Sequence, residues 1–185
     1  GIVHAAGVLR DGYFLQRSRD SLAQVLRPKL HGALVLDGAT RALQLDFFVL
    51  FSSLAGSLGS AGQADYAAAN AFLAELARQR REAGVAGASV ALDWPQWAEG
   101  GMRGDDAAIE RADRLVGLRP LATSSGVQLF HAAIASDRDH VAVLSGDSAR
   151  LRRSICASES GATVAPPKRE EASADIPALQ RSVLL

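Results

Sequence analysis

The sequence predicts an α/β fold built on an open, doubly wound parallel sheet. Two observations carry that expectation. Short apolar runs alternate with longer segments of helical spacing, in the order β-α-β-α-β-α-α-β. One of those runs, Leu45–Ser52 (LDFFVLFS), is apolar almost throughout and is flanked by helices, which is the pattern of a parallel strand buried on both faces.

The elements follow in chain order. Residues 1–5 read as a short strand ending in Ala5–Ala6–Gly7, and Val8–Phe14 as a loop, polar at Arg10–Asp11–Gly12. From Ser18 to Leu43 the apolar positions Leu22, Val25, Leu26, Leu30, Ala33, Leu34 and Leu36 recur at helical spacing. Ser18 is the expected N-cap, and Pro28 is expected to kink or interrupt that helix. Leu54–Gly62 is rich in Gly and Ser and reads as a loop. Gln63–Ala83 is an Ala-rich helix closed by Gly84. Ala88–Leu92 is a strand. Asp93–Gly104, with both tryptophans, Pro95 and three glycines, reads as irregular. Asp105–Leu115 is a polar helix, Thr123–Ala135 an amphipathic helix capped by Thr123, Val141–Leu144 a last strand and Asp147–Arg153 a short helix.

Beyond this unit, spanning 1–153, the composition shifts. Residues 154–175, with Pro166–Pro167 and a charged run, read as a linker. Ile176–Leu185 reads as the first turns of a following domain. The chain opens on Gly1 and is at once in strand-like sequence, so it reads as a fragment.

Bulk properties exclude several function classes. Hydrophobic residues make up 48% of the 185, enough for a sizeable core. The formal net charge is +0, which favours neither nucleic acid nor an anionic membrane surface as partner. Apolar runs such as Phe47–Phe51 fall far short of the roughly 20 residues a bilayer span needs. Cys156 is the only cysteine, which excludes an internal disulfide and a cysteine metal site and suits a cytoplasmic setting. His4, His31, His131 and His140 are scattered without metal-ligand spacing, so no metal is expected.

In an open parallel sheet, ligands sit beyond the carboxyl ends of the strands. Ser53 ends the FFVLF strand, and Tyr66 follows thirteen residues later at the start of the next helix. Asn70, four residues on, shares a helix face with Tyr66. Lys29 lies on the preceding helix. Together these types suit carbonyl reduction. A tyrosine hydroxyl can protonate the nascent alkoxide, and a nearby ammonium favours its phenolate. A serine can orient the carbonyl, and an asparagine can both donate and accept. Taken singly, each has a plainer reading: Ser53 a cap, Tyr66 an amphipathic helix residue, Lys29 and Asn70 solvated.

The segment FSSLAGSLGSAGQADYAAANAFLAELA, residues 51–77, resembles the active-site signature of polyketide synthase ketoreductases, relatives of the short-chain dehydrogenases. HAAGVLRDG (4–12), LRPKLHGA (26–33), LDFFVLFSS (45–53) and LDWPQWAEGGM (92–102) extend the resemblance in register to about residue 153. The last two are similar in wording to ketoreductases of synthases with separate acyltransferases. The resemblance implies a Rossmann-like fold and a catalytic tetrad at Lys29, Ser53, Tyr66 and Asn70. Ordinary short-chain dehydrogenases carry lysine where this chain has Asn70.

It also implies cofactor contacts at Ala5, Gly7, Lys29, Tyr66, Trp94 and Pro95, and stereocontrol by Leu9, Asp11, Leu58, Gln63 and Ala68. Leu9–Arg10–Asp11, with Leu58 where the opposite class has tryptophan, resembles the class giving D-configured 3-hydroxyls. Ala68, in place of proline, resembles its subclass acting without an epimerised α-substituent. Residues 102–115 would form a mobile lid. NADPH is the implied cofactor. Yet no GxGxxG, the turn that cradles a pyrophosphate, occurs in these 185 residues. That turn is expected in an upstream half of the ketoreductase, a partner of this chain. The substrate is expected as a 3-oxoacyl thioester on the phosphopantetheine of an acyl carrier domain. The alternatives are an inactive ketoreductase-like scaffold, a stand-alone 3-oxoacyl carrier reductase and a carrier-domain piece. The intact tetrad, Asn70, and the absence of a carrier serine motif argue against them in turn.

Overall fold

The FFVLFSS run lies at the middle of a parallel sheet. In the computed structural model, which describes residues 1–102 and 106–156, four strands hydrogen-bond side by side in chain order. They are β1 (Ile2–His4), β2 (Phe47–Ser53), β3 (Ala88–Trp94) and β4 (His140–Ala142). β2 pairs with β3 over its whole length, from Phe47 opposite Ala88 to Ser53 opposite Trp94. β1 lies along the other side of β2, with Ile2 opposite Phe48, and β4 along β3, with Ala91 opposite His140.

The helices are α1 (Arg19–Thr40), α2 (Leu54–Leu58), α3 (Ala64–Glu82), α4 (Asp106–Val116), α5 (Thr123–Ala135) and α6 (Ser148–Leu151). Alternate strand residues point to opposite faces. Phe48, Leu50 and Ala91 pack with Ala33 of α1 and with Leu73, Leu76 and Ala77 of α3. Val49, Val90 and Leu92 pack the other way, against Ala133, Phe130 and Ile134 of α5. Both faces are covered, which is why the strands are apolar throughout. The α/β parallel-sheet expectation holds. Among the described residues, no helix is long and apolar enough to cross a membrane.

Several local expectations need correction. α1 runs unbroken through Pro28. Proline removes one backbone donor, but a buried stripe of Val25, Lys29, Ala33 and Asp37, one turn apart, holds the helix on both sides of it. Ser18 does cap α1, accepting the Ser21 N–H at 3.1 Å. The Leu54–Gly62 segment is not all loop. Ser53 accepts the Ala55 N–H at 3.3 Å and starts α2, whose Gly56 lets it lie on α3: a Cβ there would come 3.0 Å from the Ala71 nitrogen. β3 extends through Asp93 and Trp94 because Ser52 and Ser53 are there to pair with.

Thr123 does not cap α5. It is the first helical residue, and Glu99 accepts its N–H at 2.9 Å from the loop opposite. The last strand is His140–Ala142, earlier and shorter than expected. α3 ends as its glycine suggests. Gly84 has φ +66°, its N–H bonds Arg81 O at 2.9 Å and the Val85 N–H bonds Arg80 O at 3.1 Å, a Schellman closure. After α6, Arg152–Cys156 forms a π-helical turn. The rest of the expected linker, the domain start at 176–185, and Gly104 and Asp105 lie outside the described residues.

A buried ion pair ties α1 to α3. Arg80 is fully buried, bonds Asp37, donates from Nε to Ser89 Oγ at 3.1 Å and stacks on the Phe48 ring at 3.9 Å. Removing Arg80 leaves the buried Asp37 with only the half-exposed Arg41, at 3.0 Å, and empties the space over the Phe48 ring, so Arg80→Ala should lower stability by about 3–5 kcal/mol in a urea titration. A loss under about 1 kcal/mol would show the pair to be dispensable.

Candidate active site

The loops beyond the carboxyl ends of β1, β2 and β3 enclose a cleft of about 860 Å³. Each element brings one functional group to it. β2 ends on Ser53, whose hydroxyl faces the cleft while starting α2. Tyr66 is the third residue of α3, buried to 9% exposure with Val25 and Ala55. Lys29, on the buried stripe of α1, is only 3% exposed. Its Nζ donates to Phe51 O at 2.7 Å and lies 5.6 Å from the centre of the Tyr66 ring. The helix stripe and the β1–β2 pairing thus bring together groups far apart in sequence.

Asn70 lies beneath the cleft and is fully buried. Its Nδ2 donates to Tyr66 O at 2.7 Å, while its Oδ1 has no hydrogen-bond partner among the described residues. Ser52 Oγ braces the same turn by donating to Asn70 O at 3.1 Å.

Burial dominates the site's electrostatics. It pulls the Lys29 ammonium down to about 8, against the attraction of the Asp93 carboxylate. It pushes the Tyr66 phenol above its ordinary value, while polar contacts with Ser53 and Asn70 act the other way. The phenol therefore holds its proton beside a lysine that titrates near 8. His4, also close to Lys29, is held below its ordinary value by burial first and by the lysine's charge second.

The other sequence candidates sort cleanly. Ala5, Gly7, Leu9, Asp11, Leu58, Gln63, Trp94 and Pro95 all line the cleft. Gln63 Nε2 donates to Asp11 Oδ1 at 2.8 Å, joining the loop after β1 to the start of α3. A Cβ on Gly7 would lie 3.2 Å from Lys29 Cε, so this glycine lets the backbone pass close to the lysine. Ala68 does not reach the cleft: it is exposed on α3. Of the expected lid, Met102 and Ala108, Ile109 and Ala112 of α4 line the cleft, and 103–105 lie outside the described residues. Trp94 and Trp97 pack together at 4.9 Å between ring centres, and Trp97 lies on α5 at Gly126.

Asp93 was not a candidate from sequence. It is 1% exposed, accepts a hydrogen bond from Ser57 and lies 3.0 Å from His140 Nε2. An aspartate inside an apolar strand is the signal that could have found it.

In sequence and in overall fold, the chain is similar to known proteins. The KR domain family matches residues 1–99. Polyketide synthase PksN of Bacillus subtilis is 37% identical over 100% of this chain and 3% of its own length. Polyketide synthase ThaG of Burkholderia thailandensis is 44% identical over 96% of this chain and 3% of its own. This chain therefore spans a small part of these relatives. Among solved structures, a ketoreductase domain from the bacillaene assembly line superposes with a TM-score of 0.79 at 36% identity, covering 82% of this chain and 37% of that one. The PlmKR1 ketoreductase from the first module of phoslactomycin biosynthesis in Streptomyces sp. HK803 gives 0.71 at 43%, covering 84% and 36%. In sequence and in fold, the chain belongs to the KR family, the ketoreductase domains of polyketide synthases.

Proposed function

We propose that this chain forms the proton-delivering side of a site that reduces a 3-oxoacyl thioester to the 3-hydroxyacyl thioester. The observation that carries the reading is the meeting of Ser53, Tyr66 and Lys29 at one cleft beyond the strand ends. NADPH, when bound, supplies the hydride for the carbonyl carbon. The oxygen gathers the displaced electron pair and takes its proton from the Tyr66 hydroxyl, so ketone, hydride and proton give the alcohol. Ser53 donates a hydrogen bond to that oxygen and holds it toward Tyr66. The Lys29 ammonium stabilises the phenolate left behind. The spare Oδ1 of Asn70 is an acceptor for a water or the lysine in re-protonation.

The residues present suit the nicotinamide end of the cofactor. Gly7 leaves room beside Lys29, and Trp94 Nε1 is a buried donor without a partner among the described residues. No GxGxxG lies in the 185 residues, so no pyrophosphate contact is assigned to them. Expressed alone, they are expected to bind NADPH weakly and to yield no detectable product; turnover by this piece would overturn that assignment. The acyl chain is expected on the phosphopantetheine of a carrier domain, as the synthase relatives suggest.

Leu9, Asp11 and Leu58 line the cleft around Tyr66, consistent with their steering the acyl chain. The D-3-hydroxyacyl product is expected when the intact ketoreductase domain, NADPH and a 3-oxoacyl thioester are combined and the product is resolved by chiral chromatography. The L product would overturn the stereochemical reading, and absence of any alcohol the functional one.

A further inference from the structure

Arg17 lies in the stretch between β1 and α1, yet its side chain is only 8% exposed. Its guanidinium meets three separate segments. Nη2 donates to the backbone carbonyl of Arg10 and lies 3.4 Å from Asp65 Oδ2. Nη1 donates to Ser21 Oγ at 3.0 Å in the first turn of α1. A Cβ on Gly12 would stand 3.6 Å from Arg17 Cζ, so the planar group also packs on the loop that follows β1. Asp65 is as deeply placed, at 2% side-chain exposure, and its Oδ1 accepts the Tyr66 N–H at 2.8 Å.

One side chain therefore joins the Leu9–Gly12 loop, the start of α1 and the residue preceding Tyr66. Two other ties run beside it, Gly12 N–H to Gly62 O at 2.9 Å and Gln63 Nε2 to Asp11 Oδ1 at 2.8 Å. The side-chain tie of that pair is exposed to water; the Arg17–Asp65 contact is withdrawn from it. A buried ion pair is a poor source of stability, since apolar side chains of similar size serve as well. It does impose geometry. The arginine fork reaches several acceptors in fixed directions, which a lysine ammonium on its flexible stem does not.

We propose that Arg17, seated on Asp65, is a positioning residue that sets the distance of the Leu9–Asp11 loop from Tyr66 and so selects which face of the 3-oxo group is reduced. The inference rests on the ketoreductase reading of the cleft. Its physical basis is that Leu9, Asp11, Gln63 and Tyr66 line one cleft, so a shift of the loop changes the room for the acyl chain on one side of the phenol.

The test uses the intact ketoreductase domain with NADPH and a 3-oxoacyl thioester. Wild type, Arg17→Gln, Arg17→Lys and Asp65→Asn are compared by chiral product analysis and by steady-state kinetics. In Asp65→Asn the amide oxygen can still accept the Tyr66 N–H, so that variant serves if Arg17→Gln does not fold. The expected result is at least a tenfold rise in the minor enantiomer for Arg17→Gln and Asp65→Asn, with KM raised more than kcat is lowered, and an intermediate effect for Arg17→Lys. An unchanged enantiomer ratio and KM in the folded variants, with only thermal stability lost, would overturn the inference. A wild type that makes no alcohol would instead overturn the ketoreductase reading beneath it.

Discussion

Tyr66→Phe should leave the intact ketoreductase folded and almost without turnover. The ring packs with Val25 and Ala55, and phenylalanine keeps that packing. Only the hydroxyl at the cleft is lost, which should change stability by about 0.5–1.5 kcal/mol. On the proposed mechanism the variant lacks its proton donor, and general-acid contributions of this kind are worth about 10²–10⁴-fold in rate. Single-turnover measurement at saturating NADPH isolates the chemical step, and thermal melts of the same samples report the fold. A rate within about threefold of wild type, far below the general-acid range, would remove Tyr66 from the mechanism.

Raising the pH through about 8 should lower the reduction rate, because Lys29 loses its proton there while Tyr66 keeps its own. Burial acts on both groups but in opposite directions. It disfavours the charged lysine and pulls its pKa down, and it disfavours the charged phenolate and pushes its pKa up. The falling limb therefore belongs to the ammonium. Lys29→Met should abolish that limb and lower the neutral-pH rate by about 10²-fold or more. Asp93→Asn removes the carboxylate that favours the charged lysine, so the limb should move to lower pH. An identical pH profile in all three proteins would exclude Lys29 as its origin.

The same shift has a stability consequence of defined sign. The unfolded lysine keeps its proton to about 10.5, and the folded one gives it up near 8. Between those values the unfolded state binds more protons, so Lys29 makes unfolding free energy rise with pH across that window.

The parts legible in the sequence were those decided by neighbours along the chain. The apolar run of β2, the Ser18 cap and the Gly84 closure each depend on a few adjacent residues, and each appears where expected. The errors arise where distant residues decide. Pro28 looked like a break because the stripe that holds α1 against the sheet becomes visible only once β1 and β2 pair. Thr123 looked like a cap because its real partner, Glu99, lies across a loop.

The candidate site divides the same way. Tyr66 and Asn70, a turn apart, share a helix face that sequence spacing could suggest, whereas Ala68, halfway between them, points outward. Lys29 read as solvated by composition, yet it sits on the buried stripe of α1 against Phe51 O. Asp93, Arg17 and Asp65 went unseen because each is a charged residue whose partner is supplied by another element.

The most direct measurement of the central assignment is the fate of the hydride and its dependence on one hydroxyl. The intact domain would be supplied with NADPH deuterated at the transferable position and a 3-oxoacyl thioester, and the product examined by mass spectrometry. One deuterium at C3 of the 3-hydroxyacyl product is expected from wild type, and none above background from Tyr66→Phe over the same interval. Equal labelling by both proteins, or labelling by neither, would contradict the assignment of Tyr66 as the proton donor of a ketone-reducing site.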